Sequence, residues 1–175
     1  MKRREILVAG AAAIAGLTPA ARLNALPILR QAPAREGEEG RKRGIPLVHI
    51  TDLYHPPQDP DDHIDLATVA ALDEYDLRGV ILDATRRFLL ASPEGFDIQR
   101  DPGFVPVVQL GHLLGRSIPI ATGPTLPLSR PDDDVSDRPP GEQTGVGLLL
   151  DILDASREHV VVSLVGSTRV LTAAY

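Results

Sequence analysis

From Ile45 onward, short apolar runs alternate with segments of helical period, and that alternation narrows the possible architectures to very few. Pro46–Thr51, Leu77–Asp83, Ile118–Thr122 and Val160–Val165 are rich in Val, Ile and Leu and do not alternate with polar residues. Strands of this kind are buried on both faces, as in a parallel sheet covered by helices. Between them, Asp62–Tyr75, Val105–Arg116 and Thr144–Ser156 carry apolar residues at helical spacing, and the Pro- and Asp-rich stretch Thr125–Gly141 reads as a loop. Parallel strands joined through helices cross over right-handedly. The expected fold is therefore α/β, a doubly wound and mostly parallel sheet. Such sheets bind ligands outside the carboxyl ends of their strands. Chemistry is expected after Thr51, after Asp83, after Thr122 and after Val165.

Composition removes several classes of function. The chain has a net charge of −6 and few aromatic residues, the opposite of what phosphate backbones and stacked bases require. Nucleic acid is therefore not an expected partner. No Cys is present, so thiolate metal sites, disulfides and cysteine nucleophiles are excluded together. Past the N-terminus no apolar run is long enough to span a bilayer, so no stable membrane insertion is expected.

Residues 1–25 read as a signal peptide: Met1-Lys2-Arg3-Arg4, a weakly apolar run to Leu17, and small residues before a break. The paired arginines point to the twin-arginine translocase as a partner during export, and Arg22 disfavours the general secretory route. Cleavage after Ala21 or after Ala25 both fit, and the mature protein is expected in the periplasm or outside the cell. Residues 26–44 read as a flexible linker, charged and Gly-rich toward its end.

The densest chemistry follows the first strand. Asp52, Asp59, Asp61, Asp62 and Asp65 fall within fourteen residues, and Pro56, Pro57 and Pro60 stiffen the loop between them. Crowded carboxylates call for a cation, protonation or bulk water, and hard divalent ions take their ligands from such oxygen clusters. Helix capping accounts for one or two of Asp59, Asp61 and Asp62, since acidic groups at a helix start suit its unpaired N–H groups and dipole. Capping does not account for Asp52 at the strand end. Asp65 reads as a helix-face residue. His55 and His63 flank the loop as solvated residues or as acid or ligand candidates, His112 reads as structural, and His49 and His159 carry no signal. The Asp132-Asp133-Asp134 run reads as a solvated loop.

These residues resemble the inosine-uridine-preferring nucleoside hydrolases, whose first strand runs into D-x-D-P-G-x-D-D and an Ala-rich helix. The matching segments are Val48-His49-Ile50-Thr51-Asp52, Asp59-Pro60-Asp61-Asp62 and Leu66-Ala67-Thr68-Val69-Ala70-Ala71-Leu72. Asp76–Leu82, Gln109–Leu128 and Val160–Thr172 are similar to three later family elements, in the same order. The resemblance covers residues 45–175 as the N-terminal part of a nucleoside-hydrolase-like domain. It implies one Ca2+ ion held by the motif aspartates and hydrolysis of the N-glycosidic bond of a nucleoside or related glycoside. By the same resemblance, Asp61 and Asp62 match the closing Asp-Asp pair of metal ligands. Asp52 and Asp59 compete for the roles of ligand and catalytic base, and the backbone carbonyl of Arg169 is a further metal ligand.

The chain also departs from the family. The family's Gly-Asn after the second strand, which holds the ribose, is replaced here, and the only Asn in the chain is Asn24. Asp83 or Arg86 is expected to face the substrate instead. The family's last calcium ligand and its leaving-group acid lie in a later part of the domain than these 175 residues reach. That implies weaker metal binding and slow or absent turnover. The alternative kept open is a non-catalytic metal- or ligand-binding remnant of a truncated gene. An oligomer is compatible with either reading.

Overall fold

A computed structural model describes residues 44–54, 60–86 and 102–175. The expected signal peptide, all of the linker but Gly44, and the candidates His55 and Asp59 lie outside the described residues. The described chain forms a sheet of four parallel strands: β1 (Ile45–Thr51), β2 (Tyr75–Leu82), β3 (Ile120–Thr122) and β4 (Val161–Leu164). Their order is β3-β2-β1-β4. The helices are α1 (Asp61–Ala71), α2 (Phe104–Leu113), α3 (Pro140–Ala155) and the short α4 (Arg169–Ala173). The α/β class and the parallel sheet expected from the sequence are both present. Among the described residues, no helix is long and apolar enough to cross a membrane.

Alternation along β1 explains the two layers. Val48 and Ile50 pack with Val146, Leu149 and Val170 from α3 and α4. Leu47 lies in a second cluster with Leu66 of α1 and Val107 of α2. Successive side chains of a strand point to opposite faces, so α1 and α2 cover one face and α3 and α4 the other. One irregularity adjusts the alternation. Leu47 pairs with Leu77 but Val48 pairs with Gly79, so Arg78 is an extra residue in β2. The bulge turns Gly79 toward α3, where an added Cβ would lie 3.2 Å from the side chains of both Leu148 and Ile152.

Element ends follow local chemistry that periodicity does not carry. Leu72 adopts an extended conformation, so α1 stops at Ala71 and β2 begins at Tyr75. The helix is thus shorter at this end than the expected Asp62–Tyr75. α2 ends in a Schellman turn: Gly115 has φ +65°, its N–H donates to the His112 carbonyl, and the Arg116 N–H donates to that of Gly111. α3 begins at Pro140, before the expected Thr144, with proline in the first turn where its missing N–H costs nothing.

One expectation needs correction. The apolar run Val160–Val165 predicts a strand buried on both faces, yet β4 is an edge strand among the described residues. Val161 is 37% exposed, and Val162, Ser163 and Leu164 are half-buried.

Candidate functional site

β1 leads to β2 on one side of the sheet, whereas β4 lies on the other side of β1. The carboxyl ends of β1 and β4 therefore flank the topological switch point, the usual ligand crevice of such a sheet. The backbones there are locked together. Asp83 N–H donates to the Thr51 carbonyl at 2.7 Å, and Val165 N–H donates to that of Ile50 at 3.0 Å. Gly166 passes so close to β1 that an added Cβ would lie 2.9 Å from the Asp52 nitrogen.

On the α1 side, Thr51 faces the start of the helix. Its hydroxyl donates to Asp62 Oδ1 at 2.8 Å and accepts from the Leu53 N–H at 3.1 Å. This bond fixes the Asp62 carboxylate at the sheet edge. Asp61 is exposed, and its Oδ1 accepts the N–H of the next residue, Asp62, at 2.9 Å; Pro60 occupies the cap position, and the helix start has no side-chain cap hydrogen bond. Burial pushes the Asp62 carboxyl up to about 6, against the Thr51 hydrogen bond and with help from the charges of Asp52, Asp61 and Asp65. The charges of Asp52, Asp61 and Asp65 thus all act on Asp62 at this lip. Asp52, half-buried, also raises Asp83, so it stands electrostatically between the two sides of the crevice.

On the other side lies an arrangement that the sequence reading missed. Asp83 is fully buried. The Ser167 hydroxyl donates to its Oδ2, and Arg169 Nε and Nη2 donate to its Oδ1 at 3.2 and 2.9 Å. Arg169 Nη2 also donates to the Asp83 carbonyl. β1 lies between β2 and β4, so this clasp ties two non-adjacent strands together over the end of the central one. Burial pushes the Asp83 carboxyl up, while Ser167 and Arg169 pull it back toward the ionised form. Gly123 closes the clasp from the β3 side: an added Cβ would meet Val170 Cγ2 at 2.5 Å and Asp83 Oδ1 at 3.0 Å.

The candidate residues are thus distributed as follows. Asp52, Asp61 and Asp62 share one lip. Asp83 is at the crevice, with both carboxylate oxygens engaged by Ser167 and Arg169. Arg169 contributes its guanidinium to the crevice, while its carbonyl belongs to the first turn of α4. Arg86 is exposed, and its backbone N–H donates to the Thr125 carbonyl at 2.8 Å. Among the described residues, no three His, Asp or Glu side chains form a ready-made metal cluster.

The loop between β3 and α3 borders this site, and here the solvated reading of Asp132–Asp134 is corrected for its middle residue. Asp133 is 5% exposed. It accepts from the Ser129 N–H and hydroxyl at 2.7 and 2.8 Å, from the Val135 N–H at 3.0 Å and from Arg138 Nη2 at 3.2 Å. These donors hold its carboxyl well below the usual carboxylate range. They also hold Val135 at φ 55°, a conformation that costs a β-branched residue energy, while its side chain is buried in the core. The ordered loop and α4 enclose a shallow cleft of about 510 Å³, with Leu128, Arg130, Thr168 and Arg169 in its wall.

Comparison with known proteins returns no match: no family model, no curated protein and no solved structure matches this chain.

Proposed function

We propose that this protein is a calcium-binding, nucleoside-hydrolase-like protein whose site is the crevice at the carboxyl ends of β1, β2 and β4. The carrying observation is the crowding of Asp52, Asp61, Asp62 and Asp65 at one lip, with Asp62 anchored by Thr51 and pushed up to about 6. Negative charge gathered in this way, without a cationic side chain among the neighbours acting on Asp62, suits a hard divalent ion. Asp52, Asp61 and Asp62 offer only oxygen donors, which favours calcium and magnesium over thiolate- or imidazole-seeking metals. Bound calcium supplies a Lewis acid that makes water a better nucleophile near neutral pH. Asp52 and Asp59 compete for the roles of ligand and of the base that would take a proton from water, with Asp52 favoured as ligand, and the substrate class is a ribonucleoside or related N-glycoside.

A second reading is metal or ligand binding without turnover. It is favoured by the clasp: Asp83, the residue at the place where the resemblance sets a ribose contact, is held by Arg169 and Ser167. Reducing-sugar release from inosine and uridine separates the two readings. Hydrolysis requires release that depends on calcium, stops with a chelator and is lost in Asp52→Asn and Asp59→Asn together. Thermal stabilisation by calcium with no release supports binding alone. Neither stabilisation nor release overturns the proposal.

The Arg3-Arg4 pair supports export by the twin-arginine route. Changing both to Lys is expected to trap the precursor in the cytoplasm. Unchanged export from cells lacking that translocase contradicts the assignment.

A further inference from the structure

We infer that His49 is an acid-responsive latch between β1 and β4, and that charging its ring releases β4 together with Ser167 and Arg169 behind it. His49 sits in the middle of the central strand and is 0% exposed. Its neighbours Val48 and Ile50 face α3 and α4, so its own ring faces α1. Its register partner on β4 is Ser163, and Nδ1 lies 3.1 Å from the Ser163 hydroxyl. Nε2 is buried and has no hydrogen-bond partner.

A neutral imidazole tolerates this seam. One nitrogen bonds to Ser163 and the other needs no proton. An imidazolium carries an N–H on both nitrogens, and one of them then points into a buried space with no acceptor. The surrounding elements offer little compensation. On β2 the register neighbour is Val80, and on β4 it is Ser163. From α1, Asp65 is the charge that reaches the ring, while Asp62 is bonded to Thr51. Burial outweighs Asp65 and pushes the imidazole down to about 4. The strand on the other side of the seam is the weakest held. β4 has four residues, is partly exposed and pairs on one side only among the described strands. Elements with few buried contacts open first. The segment that follows β4 carries the Ser167–Arg169 half of the clasp, so opening β4 dismantles the crevice.

Amide exchange on the intact chain at pH 7.5 and pH 5 tests this. A ring that is ordinary when open and shifted when closed favours opening by roughly thirtyfold between these pH values. Protection of the Val162–Val165 amides is expected to fall by about that factor, while Leu148 and Leu149 of α3 hold theirs. His49→Gln, which keeps a bond to Ser163 and cannot take up a proton in this range, is expected to flatten the response. Should that variant fail to fold, the imidazole resonances of the wild-type chain report the same thing: the closed ring stays neutral down to about pH 4. The inference is overturned if the closed ring titrates near 6.5 with β4 fully protected. It is equally overturned if His49→Gln and wild type lose protection alike, or if β4 and α3 lose it together.

Discussion

Replacing Arg169 with Ala is expected to destabilise the protein by about 3–5 kcal/mol, the usual cost of leaving one member of a buried ion pair without its partner. The size of the effect follows from geometry. Asp83 is fully buried, the Arg169 side chain is nearly so, and the guanidinium contacts both the carboxylate and the carbonyl of Asp83. Removing it leaves the carboxyl with the Ser167 hydroxyl and the push of Asp52. The clasp as a whole is not expected to be worth that much. Two charges removed from water lose solvation that their attraction repays only in part, so Asp83→Leu with Arg169→Met is expected to recover most of the loss. Urea unfolding of Asp83→Leu, Arg169→Met and their combination measures the coupling directly. A loss below about 1 kcal/mol in Arg169→Ala means that the clasp is solvated and does not tie β2 to β4.

Asp62→Asn is expected to have the opposite sign in the absence of calcium. Its carboxyl is pushed up to about 6 from an ordinary 3.8, chiefly by burial. Above pH 6 the group is ionised in both folded and unfolded chains, and the folded state bears the full penalty. As pH falls from 6 toward 3.8 the folded state takes up a proton first and the penalty is relieved. Asn carries no charge and can still accept the Thr51 hydroxyl. At pH 7.5 the variant is therefore expected to be more stable than wild type, by about 1–2 kcal/mol once partial solvent exposure is allowed for. This advantage should vanish near pH 4. A destabilised variant at pH 7.5 contradicts the charge-crowding account of this lip. His49 works against Asp62 over nearly the same range, since its depressed value removes stability as pH falls from 6.5 toward 4. The two groups should therefore flatten the wild-type stability profile, and each single variant should expose the slope of the other.

Much of the fold was legible because each parallel strand announces itself as a local apolar run. The acidic lip was legible for the same local reason. Asp52 ends the first run and Asp61 and Asp62 open the next helix, so any crossover at this end of the sheet brings them together. The clasp was not legible. Asp83 and Arg169 are 86 residues apart, and they meet only because β4 returns to the far side of β1, an order that strand spacing does not encode. The exposure of β4 was missed because an apolar run reads alike in the middle and at the edge of a sheet. Asp133 was hidden in a run of like charges, although Ser129 four residues before it and Arg138 five after it are the partners that a buried carboxylate needs. His49 was passed over as one polar residue in an apolar strand. Its burial depends on α1 lying across that face.

A calcium titration of the melting temperature is the most direct test of the proposed cation at the Asp52–Asp61–Asp62 lip. A ligand that binds only the folded state stabilises it by about 2.7 kcal/mol at a hundredfold excess over Kd. For a chain of this size that is roughly 5–10 °C. Calcium is expected to produce this rise, magnesium a smaller one, and Asp62→Asn to abolish both. A wild-type melting curve unmoved by millimolar calcium contradicts the account and leaves the acidic lip as a helix cap and a solvated rim.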